Sequence, residues 1–243
     1  MTTRADFLAA IRLEMGKTRG LFEAATSPRP AEPRGAAEAV RRQMAERWPG
    51  ALERFREEFE RVAGVFHRAP SLDAVPGLVL QIAREREARR ILSWTPEALG
   101  LDLRPSLGAE GLHVTIAPDS DPAAEARARH REEAAEAEVG VTGVDWALAE
   151  TGTVILVSGR GRPGSTSLLP ATHVAVFDRD RLLESLEQVG IILEALHADA
   201  ARSMSGAVIS FITGPSRTAD IELTLTRGVH GPKEVHAIFV DRP

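Results

Sequence analysis

Residues 139–178 read VGVTGVDWALAETGTVILVSGRGRPGSTSLLPATHVAVFD. Within them, the short runs Val139–Val141, Thr153–Val157 and Thr172–Phe177 are apolar and rich in β-branched residues, and glycine-containing segments separate them. Continuous apolar runs of this length are typical of strands that are buried on both faces. The stretch therefore predicts neighbouring buried strands joined by loops.

Similar runs recur along the chain, and the segments between them are typical of helices. The additional strands are predicted at residues 65–68, 90–94, 112–117, 207–213 and 235–240. The strongest helical pattern has leucine and valine at three- and four-residue spacing from Leu182 to Leu196. Strands that alternate with helices indicate an α/β fold whose mostly parallel sheet is covered on both faces.

The first 64 residues carry a helical pattern and are assigned to an N-terminal arm, ahead of an α/β domain at residues 65–243. Apolar residues such as Trp48, Phe55 and Phe59 fall on helical faces of this arm. They are interpreted as core packing rather than as a ligand site. Pro49 is expected to break or kink the helix, since proline lacks the amide hydrogen that a helix uses.

The composition excludes several functional classes. With 43% hydrophobic and 27% charged residues, the 243-residue chain can form a packed core. Its net charge of -5 argues against sequence-independent binding to nucleic acid, which needs a basic surface. The absence of cysteine excludes disulfides, zinc thiolate sites and cysteine-held iron–sulfur clusters from these residues. Neither a signal-peptide pattern nor a membrane-spanning run occurs, so the cytoplasm is the expected location.

One candidate site lies in GVTGVDWALAETGT, residues 140–153. Its glycines permit tight turns and close approach of the backbone to a ligand. A carboxylate among apolar residues can have a raised pKa, which makes Glu150 a candidate catalytic acid, base or nucleophile. The alternative is that Glu150 caps backbone amides in a turn, and the sequence leaves both open. The candidate ligand-binding residues here are Thr142, Gly143, Asp145, Thr151, Gly152 and Thr153.

The second candidate site is GPSRTADIELTLTRGVHGPKE, residues 214–234, which follows the strand-like run AVISFIT. A sharp turn with exposed amides beside Arg217 is typical of a site for a carboxylate or phosphate, unless Asp220 or Glu222 pairs with the arginine. Because ligands of α/β sheets bind beyond the carboxyl ends of strands, both stretches are expected at one mouth of the sheet. The candidate ligand-binding residues are Gly214, Pro215, Ser216, Arg217, Thr218, Asp220, His230 and Lys233.

Three further patterns carry less information. The segment SGRGRPGSTSLLP, residues 158–170, is similar in composition to a phosphate-binding loop but lacks the ordered glycines of the known motifs, so a loop lying over the site is the more cautious interpretation. His173 opens a strand and is interpreted as a core histidine. His230 and His236 could join a nearby carboxylate at a metal, but their spacing matches no standard signature, and no metal ligand is assigned.

Several runs together resemble a known family. They are GVTGVDWALAETGTVIL, GRPGSTSLLPATHVAV and GPSRTADIELTLTRGVHGPKEVHAIFV. In this order they resemble the LUD-domain lactate-utilisation proteins, in particular the small C component, the LutC or YkgG family. The resemblance is dense over Val139–Val240, and the helical N-terminal arm also suits that family. The larger sister component carries cysteine-rich ferredoxin motifs, which a chain without cysteine lacks.

The resemblance implies a three-layer α/β/α fold similar to the NagB/RpiA/CoA-transferase-like group. It also implies a part in the oxidation of L-lactate to pyruvate together with two iron–sulfur partner proteins. The leading hypothesis is a subunit that holds no redox cofactor and binds a small carboxylate or phosphate, or serves in assembly. The alternatives are a stand-alone isomerase or acyl- or CoA-transferase-like enzyme that uses Glu150, by analogy between folds, and a regulatory ligand-binding module.

Overall fold

The computed structural model describes residues 3–17, 30–119, 124–198, 208–219 and 225–241. The helices are α1 (Arg4–Lys17), α2 (Pro33–Arg61), α3 (Val75–Glu85), α4 (Pro96–Leu99), α5 (Arg104–Ala109), α6 (Ala124–Glu136), α7 (Ser165–Leu168) and α8 (Leu186–His197). The strands are β1 (Val65–Ala69), β2 (Arg90–Ser93), β3 (His113–Ile116), β4 (Val139–Gly143), β5 (Trp146–Leu148), β6 (Thr153–Val157), β7 (Thr172–Asp178), β8 (Leu182–Leu183), β9 (Ile209–Ile212), β10 (Arg217–Ala219), β11 (Leu225–Arg227) and β12 (Glu234–Val240). Among the described residues, none of the helices is long and apolar enough to cross a membrane.

The central sheet has six parallel strands in the order β1-β12-β7-β4-β2-β3. Every residue of β4 and β7 is buried, and so is nearly all of β12. A parallel sheet with both faces covered requires this continuous burial, which explains why the sequence shows apolar runs rather than alternation. The predicted α/β fold with a mostly parallel sheet is confirmed.

Different layers cover the two faces of the central sheet. On one face, α3 and α5 pack Ile82 and Leu107 against strand residues such as Val141 and Val174. On the other face lie α2, α8 and a second, four-stranded sheet in the order β8-β5-β6-β9. A separate two-stranded hairpin, β10-β11, follows the second sheet. The central sheet is therefore the middle of three layers.

Helix α2 contributes directly to the core. Phe55 and Phe59 are 0% exposed, and the ring of Phe55 meets that of Phe177 on β7 edge to face at a centroid distance of 5.1 Å. The predicted packing role of these aromatic residues is confirmed. The helix continues through Pro49, so of the two predicted outcomes, a break or a kink, the break does not occur. Buried side chains on both sides of the proline hold the two halves against the sheet, and this packing outweighs one lost hydrogen bond.

Helix α8 begins later than its leucine spacing predicts. Leu182 and Leu183 form the short strand β8 beside β5, and the helix begins at Leu186. The Ser185 hydroxyl accepts a hydrogen bond from the Gln188 amide at 3.4 Å, while the Gln188 side-chain oxygen accepts one from the Glu184 amide at 2.7 Å. These two hydrogen bonds of Gln188 define the start of the helix, which the spacing of apolar residues cannot show.

The predicted strand at residues 207–213 is present as β9, but it is not fully buried. It forms the edge of the second sheet, and Phe211 is 47% exposed. An edge strand pairs on one side and packs less completely than an inner one, so an apolar run overstates its burial.

Candidate functional site

The chain leaves the neighbouring strands β2 and β4 in opposite directions along the central sheet. From β2 it continues to β3 on one side, and the next central strand after β4 is β7, on the other side. In parallel α/β sheets this divergence leaves an opening where ligands bind. A cavity of about 360 Å³, here called the crevice, lies at this point. Its charged and hydroxyl-bearing lining residues are Thr95, Glu97, Asp119, Asp145, Arg160, Arg162 and Arg181.

The loop after β6 is fixed over the crevice by backbone hydrogen bonds. The Thr95 amide donates to the Gly161 carbonyl at 3.0 Å, and the Gly161 amide donates to the Pro118 carbonyl at 3.0 Å. Gly161 has φ +67°, and a Cβ there would lie 2.7 Å from the Thr95 hydroxyl oxygen, so glycine is required. The loop thus joins the ends of β2 and β3 and carries two arginines to the crevice.

One of these arginines is held by a carboxylate and a tryptophan. Arg162 Nη1 lies 3.0 Å from Asp145 Oδ1, and its guanidinium carbon lies 5.9 Å from the centre of the Trp94 ring. The other Asp145 oxygen accepts a hydrogen bond from the Val157 amide at 2.7 Å. Because Asp145 already balances its charge, Arg162 shapes the crevice more than it attracts an anion.

The other two arginines of the crevice, Arg160 and Arg181, are exposed and form no hydrogen bond or ion pair with the described residues. A guanidinium can donate two parallel hydrogen bonds to a carboxylate or phosphate. The carboxylates of Glu97 and Asp119 line the same crevice and can accept a hydrogen bond from a ligand hydroxyl. The arrangement can therefore hold a small anion that also carries a hydroxyl group.

The first predicted stretch reaches this region in part. Asp145 lines the crevice, and Gly143 lies at the end of β4, where a Cβ would approach the Ala98 carbonyl to 3.0 Å. Thr142 lies within the sheet instead, buried, with its hydroxyl 2.9 Å from His173 Nε2. The predicted core position of His173 agrees with its 0% exposure.

The remaining residues of that stretch form a turn at the far end of the second sheet. The hydroxyls of Thr151, Thr153 and Thr213 form a chain with two oxygen–oxygen distances of 2.7 Å. The Glu150 carboxylate accepts a hydrogen bond from the Leu186 amide at 2.8 Å, the contact that the capping alternative expects. Gly152 has φ +61°, and a Cβ there would lie 2.2 Å from the Phe59 amide nitrogen, so the turn packs directly on α2.

The second predicted stretch begins with a turn docked on the end of α2. Pro215 is buried, and a Cβ on Gly214 would lie 2.5 Å from the Val62 carbonyl oxygen. The Arg217 guanidinium donates a hydrogen bond to that same carbonyl. Val62 leads into β1, so this turn lies toward the amino ends of the central strands.

The rest of the second stretch also lies at the amino ends. The Ser216 amide donates to the Pro232 carbonyl at 2.9 Å, the His230 amide donates to the Ser216 hydroxyl at 3.3 Å, and Lys233 directly precedes β12. The expected shared mouth for both stretches is therefore wrong, because β9 belongs to the second sheet rather than the central one. Asp220 and Glu222 lie outside the described residues, and for Thr218 the structure describes the backbone alone.

A chain of charged and titratable groups lies near the same end of the sheet. His67 Nε2 and His236 Nδ1 are 3.0 Å apart, His236 Nε2 lies 3.5 Å from Glu234, and Glu234 is 2.5 Å from Arg86. Burial and then the neighbouring His67 lower the pKa of His236. Within the part of the chain that the structure describes, no three histidine, aspartate or glutamate side chains form a metal-binding group.

Arg160 and Arg162 lie in the segment 158–170, which is interpreted from the sequence as a loop over the site, whereas Thr95, Glu97, Asp119 and Arg181 are not among the predicted site residues. A signal for some of them existed. Arg181 follows soon after the clearest predicted strand, and Thr95 follows the run at residues 90–94. The carboxyl-end rule selects both positions, provided that it is applied to strands of one parallel sheet.

Comparison with known proteins identifies relatives of the whole α/β region. The family model described as LUD domain matches residues 52–240. A protein named lactate utilization protein C from Halalkalibacterium halodurans is 34% identical over 171 residues, which cover 70% of each chain. Another of that name from Anoxybacillus flavithermus is 40% identical over 118 residues, 48% of this chain and 50% of the relative.

A solved structure supports the same relationship at the level of the fold. The crystal structure of a DUF162 family protein from Deinococcus radiodurans superimposes with a TM-score of 0.52 at 22% identity. The superposition covers 80% of this chain and 98% of the other. The family match over residues 52–240 and the 34% identity to the protein from Halalkalibacterium halodurans show that the chain belongs to the LUD-domain family, in the group of the lactate utilization proteins C.

Proposed function

We propose that this chain acts in lactate utilisation as the cytoplasmic subunit that binds a small carboxylate or phosphate in the crevice. The observation that carries the proposal is the pair Arg160 and Arg181, which have no ion-pair partner among the described residues and lie at the point where the chain diverges. The names of the relatives support the process, and the crevice supports the chemical class of the ligand.

A 2-hydroxy acid fits the donors and acceptors of the crevice. Its carboxylate can accept hydrogen bonds from Arg160 and Arg181, and its hydroxyl can donate to Glu97 or Asp119. At about 360 Å³ the crevice is larger than a three-carbon acid requires. Larger carboxylates and phosphates therefore remain within the proposed ligand class.

Electron transfer is assigned to other chains. Oxidation of a hydroxy acid to a keto acid releases two electrons, which need a redox cofactor to accept them. These 243 residues contain no cysteine to hold an iron–sulfur cluster. We therefore propose that two iron–sulfur proteins accept the electrons, while this chain contributes ligand binding. A catalytic role for Glu150 has less support, because its carboxylate accepts the Leu186 amide and does not line the crevice.

Binding measurements test the anion site. Calorimetry with L-lactate, pyruvate and inorganic phosphate should show saturable binding of at least one of them. The double variant Arg160→Gln, Arg181→Gln should weaken it by about tenfold or more, since two charge-assisted contacts are lost. Arg54→Gln, an exposed arginine of α2, is the matched control and should bind normally. Equal affinity of the double variant and the control would place the ligand elsewhere.

Reconstitution tests the role in lactate oxidation. The chain should co-purify with iron–sulfur proteins from a host that grows on lactate, and omission of the chain should abolish lactate oxidation by the purified components. Full activity in its absence would contradict the proposed role.

A further inference from the structure

A second and larger cavity lies between α2 and the segment that leads from β7 into α8. Its volume is about 550 Å³, and here it is called the cleft. The floor is apolar, with Met44, Leu182 and Ile192 at most 5% exposed. Neither the family relationship nor the proposed anion site accounts for this cleft.

Two tryptophans line the cleft. Trp48 on α2 is half-buried, and its ring stacks on Phe239 of β12 at a centroid distance of 5.9 Å. Trp146, the first residue of β5, is also half-buried. Indole rings that are partly open to a cavity offer large, polarisable faces and edges to a planar ring. The aromatic lining therefore favours a ligand with an aromatic ring over a purely aliphatic one.

The charged side chains that line the cleft are more often arginine than aspartate. Arg41 and Arg181 line it and form no hydrogen bond or ion pair within the described part of the chain. Of the two acidic residues in the lining, Asp178 is buried and accepts the Asp180 amide at 3.1 Å, while Asp180 lies 4.0 Å from Arg179. The Asp178 carboxylate thus has a partner, and the three arginines of the lining, Arg41, Arg179 and Arg181, outnumber its two carboxylates, which favours an anionic group.

We propose that the cleft binds a planar aromatic ring that carries a phosphate or carboxylate, of about the size of a nucleoside monophosphate. The ring lies against Trp48 and Trp146, and the anionic group meets Arg41 and Arg181. Arg181 also lines the crevice, as well as a small cavity of about 50 Å³ beside Gly143 and Phe177. The cleft and the crevice are separate cavities that share Arg181 in their linings.

Calorimetry with AMP and FMN tests the cleft. At least one should bind, and adenosine or riboflavin, which lack the phosphate, should bind at least tenfold more weakly. Inorganic phosphate, which lacks the ring, should displace the bound nucleotide only at concentrations at least tenfold above the Kd of the nucleotide, whether or not it also binds in the crevice. Arg41→Gln should weaken nucleotide binding by about tenfold, whereas Arg54→Gln on the same helix should not. Because Arg41 is exposed, its substitution leaves the fold intact.

Tryptophan emission identifies the occupied cavity. In Trp94→Phe the emission comes from Trp48 and Trp146 alone, and AMP should still change it. Arg160→Gln, which alters the crevice, should leave AMP affinity unchanged and so separates this proposal from the anion site. If Trp94→Phe fails to fold, the Arg41→Gln calorimetry decides. No binding of AMP or FMN at millimolar concentration, or equal affinities for Arg41→Gln and Arg54→Gln, would overturn the proposal.

Discussion

Two loops of similar composition end up in opposite environments. Residues 158–164 follow β6, residues 214–217 follow β9, and both segments combine glycine, serine, proline and arginine. Strands β6 and β9 are antiparallel neighbours, so the loops that follow them leave from opposite ends of the second sheet. One loop covers the crevice at the carboxyl ends of the central strands, and the other docks on α2 near their amino ends.

The arginines of the two loops differ accordingly. The Arg217 guanidinium donates to the Val62 carbonyl and holds the turn to the end of α2. Arg160 extends into the crevice without a partner among the residues that the structure describes. Residue type and local pattern thus favour an anion site at Arg217, whereas strand direction leaves Arg160 as the arginine that is available for a ligand.

The largest expected effect comes from glycine substitutions that distinguish the loops. Gly214→Ala should lower the free energy of unfolding by about 2–5 kcal/mol, because a positive φ and a collision with the Val62 carbonyl both oppose a Cβ. Gly159→Ala in the crevice loop should cost less than about 1 kcal/mol, since its Cβ would approach nothing closer than 3.7 Å. Urea unfolding measures both. Similar costs would show that the turn at Gly214 is not held against the Val62 carbonyl.

A second prediction contrasts a buried with an exposed histidine in how the free energy of unfolding depends on pH. Burial, and then the charge of nearby His236, lower the pKa of His173 from 6.5 to about 3. Above pH 6.5 the histidine is neutral in both states and its contribution to stability is fully present. Below pH 6.5 the unfolded chain binds a proton that the folded chain rejects, so stability falls until about pH 3, by about 1.4 kcal/mol per pH unit.

Urea unfolding between pH 7 and pH 4.5 measures this slope in His173→Gln. In His173→Gln the free energy of unfolding should fall less steeply as the pH is lowered, because the contribution of this histidine is gone. The matched control His113→Gln, at an exposed position of β3, should keep the slope of the unsubstituted protein. His67 and His236 also have lowered pKa values and should retain their part of the slope in both variants. Identical slopes for the two variants would mean that His173 is protonated in the folded chain.

The smallest expected effect concerns Glu150. Glu150→Ala removes the acceptor for the Leu186 amide at the start of α8 and should cost about 1 kcal/mol of stability. Glu150→Gln keeps a side-chain oxygen and should cost less. Neither variant should change anion affinity, because Glu150 does not line the crevice. Loss of lactate oxidation in a stable Glu150→Gln protein would restore its catalytic interpretation.

Much of the fold is predictable from the sequence because each buried parallel strand corresponds to a short apolar run of residues. The runs at β2, β4, β7 and β12 are predictable, since each is short, mostly apolar and largely buried. The errors have non-local causes. Pro49 is tolerated because packing on both sides holds α2, and Leu182 joins β8 because β5 offers it a partner strand. Neither partner is visible in the local spacing.

The candidate site was less predictable than the fold. Asp145, predicted to bind a ligand from its place in an apolar run, lines the crevice, where it forms an ion pair with Arg162 that the sequence does not indicate. Arg181 follows β7, a strand of the central sheet, so the carboxyl-end rule selects its position only once the strands of that sheet are known. Trp48 was assigned to core packing, and its ring does stack on Phe239, while the same ring also lines the cleft.

The sequence by itself determined the six strands of the central sheet, the parallel α/β class and the family, because these depend on local hydrophobicity and on the order of motifs along the chain. Tertiary structure alone decided which loops share an edge of the sheet and which charged groups remain available. Both depend on strand order and direction, which arise from pairing between residues far apart in sequence. Arg160 and Arg217 illustrate the difference: alike in local sequence, they are separated by the direction of two neighbouring strands.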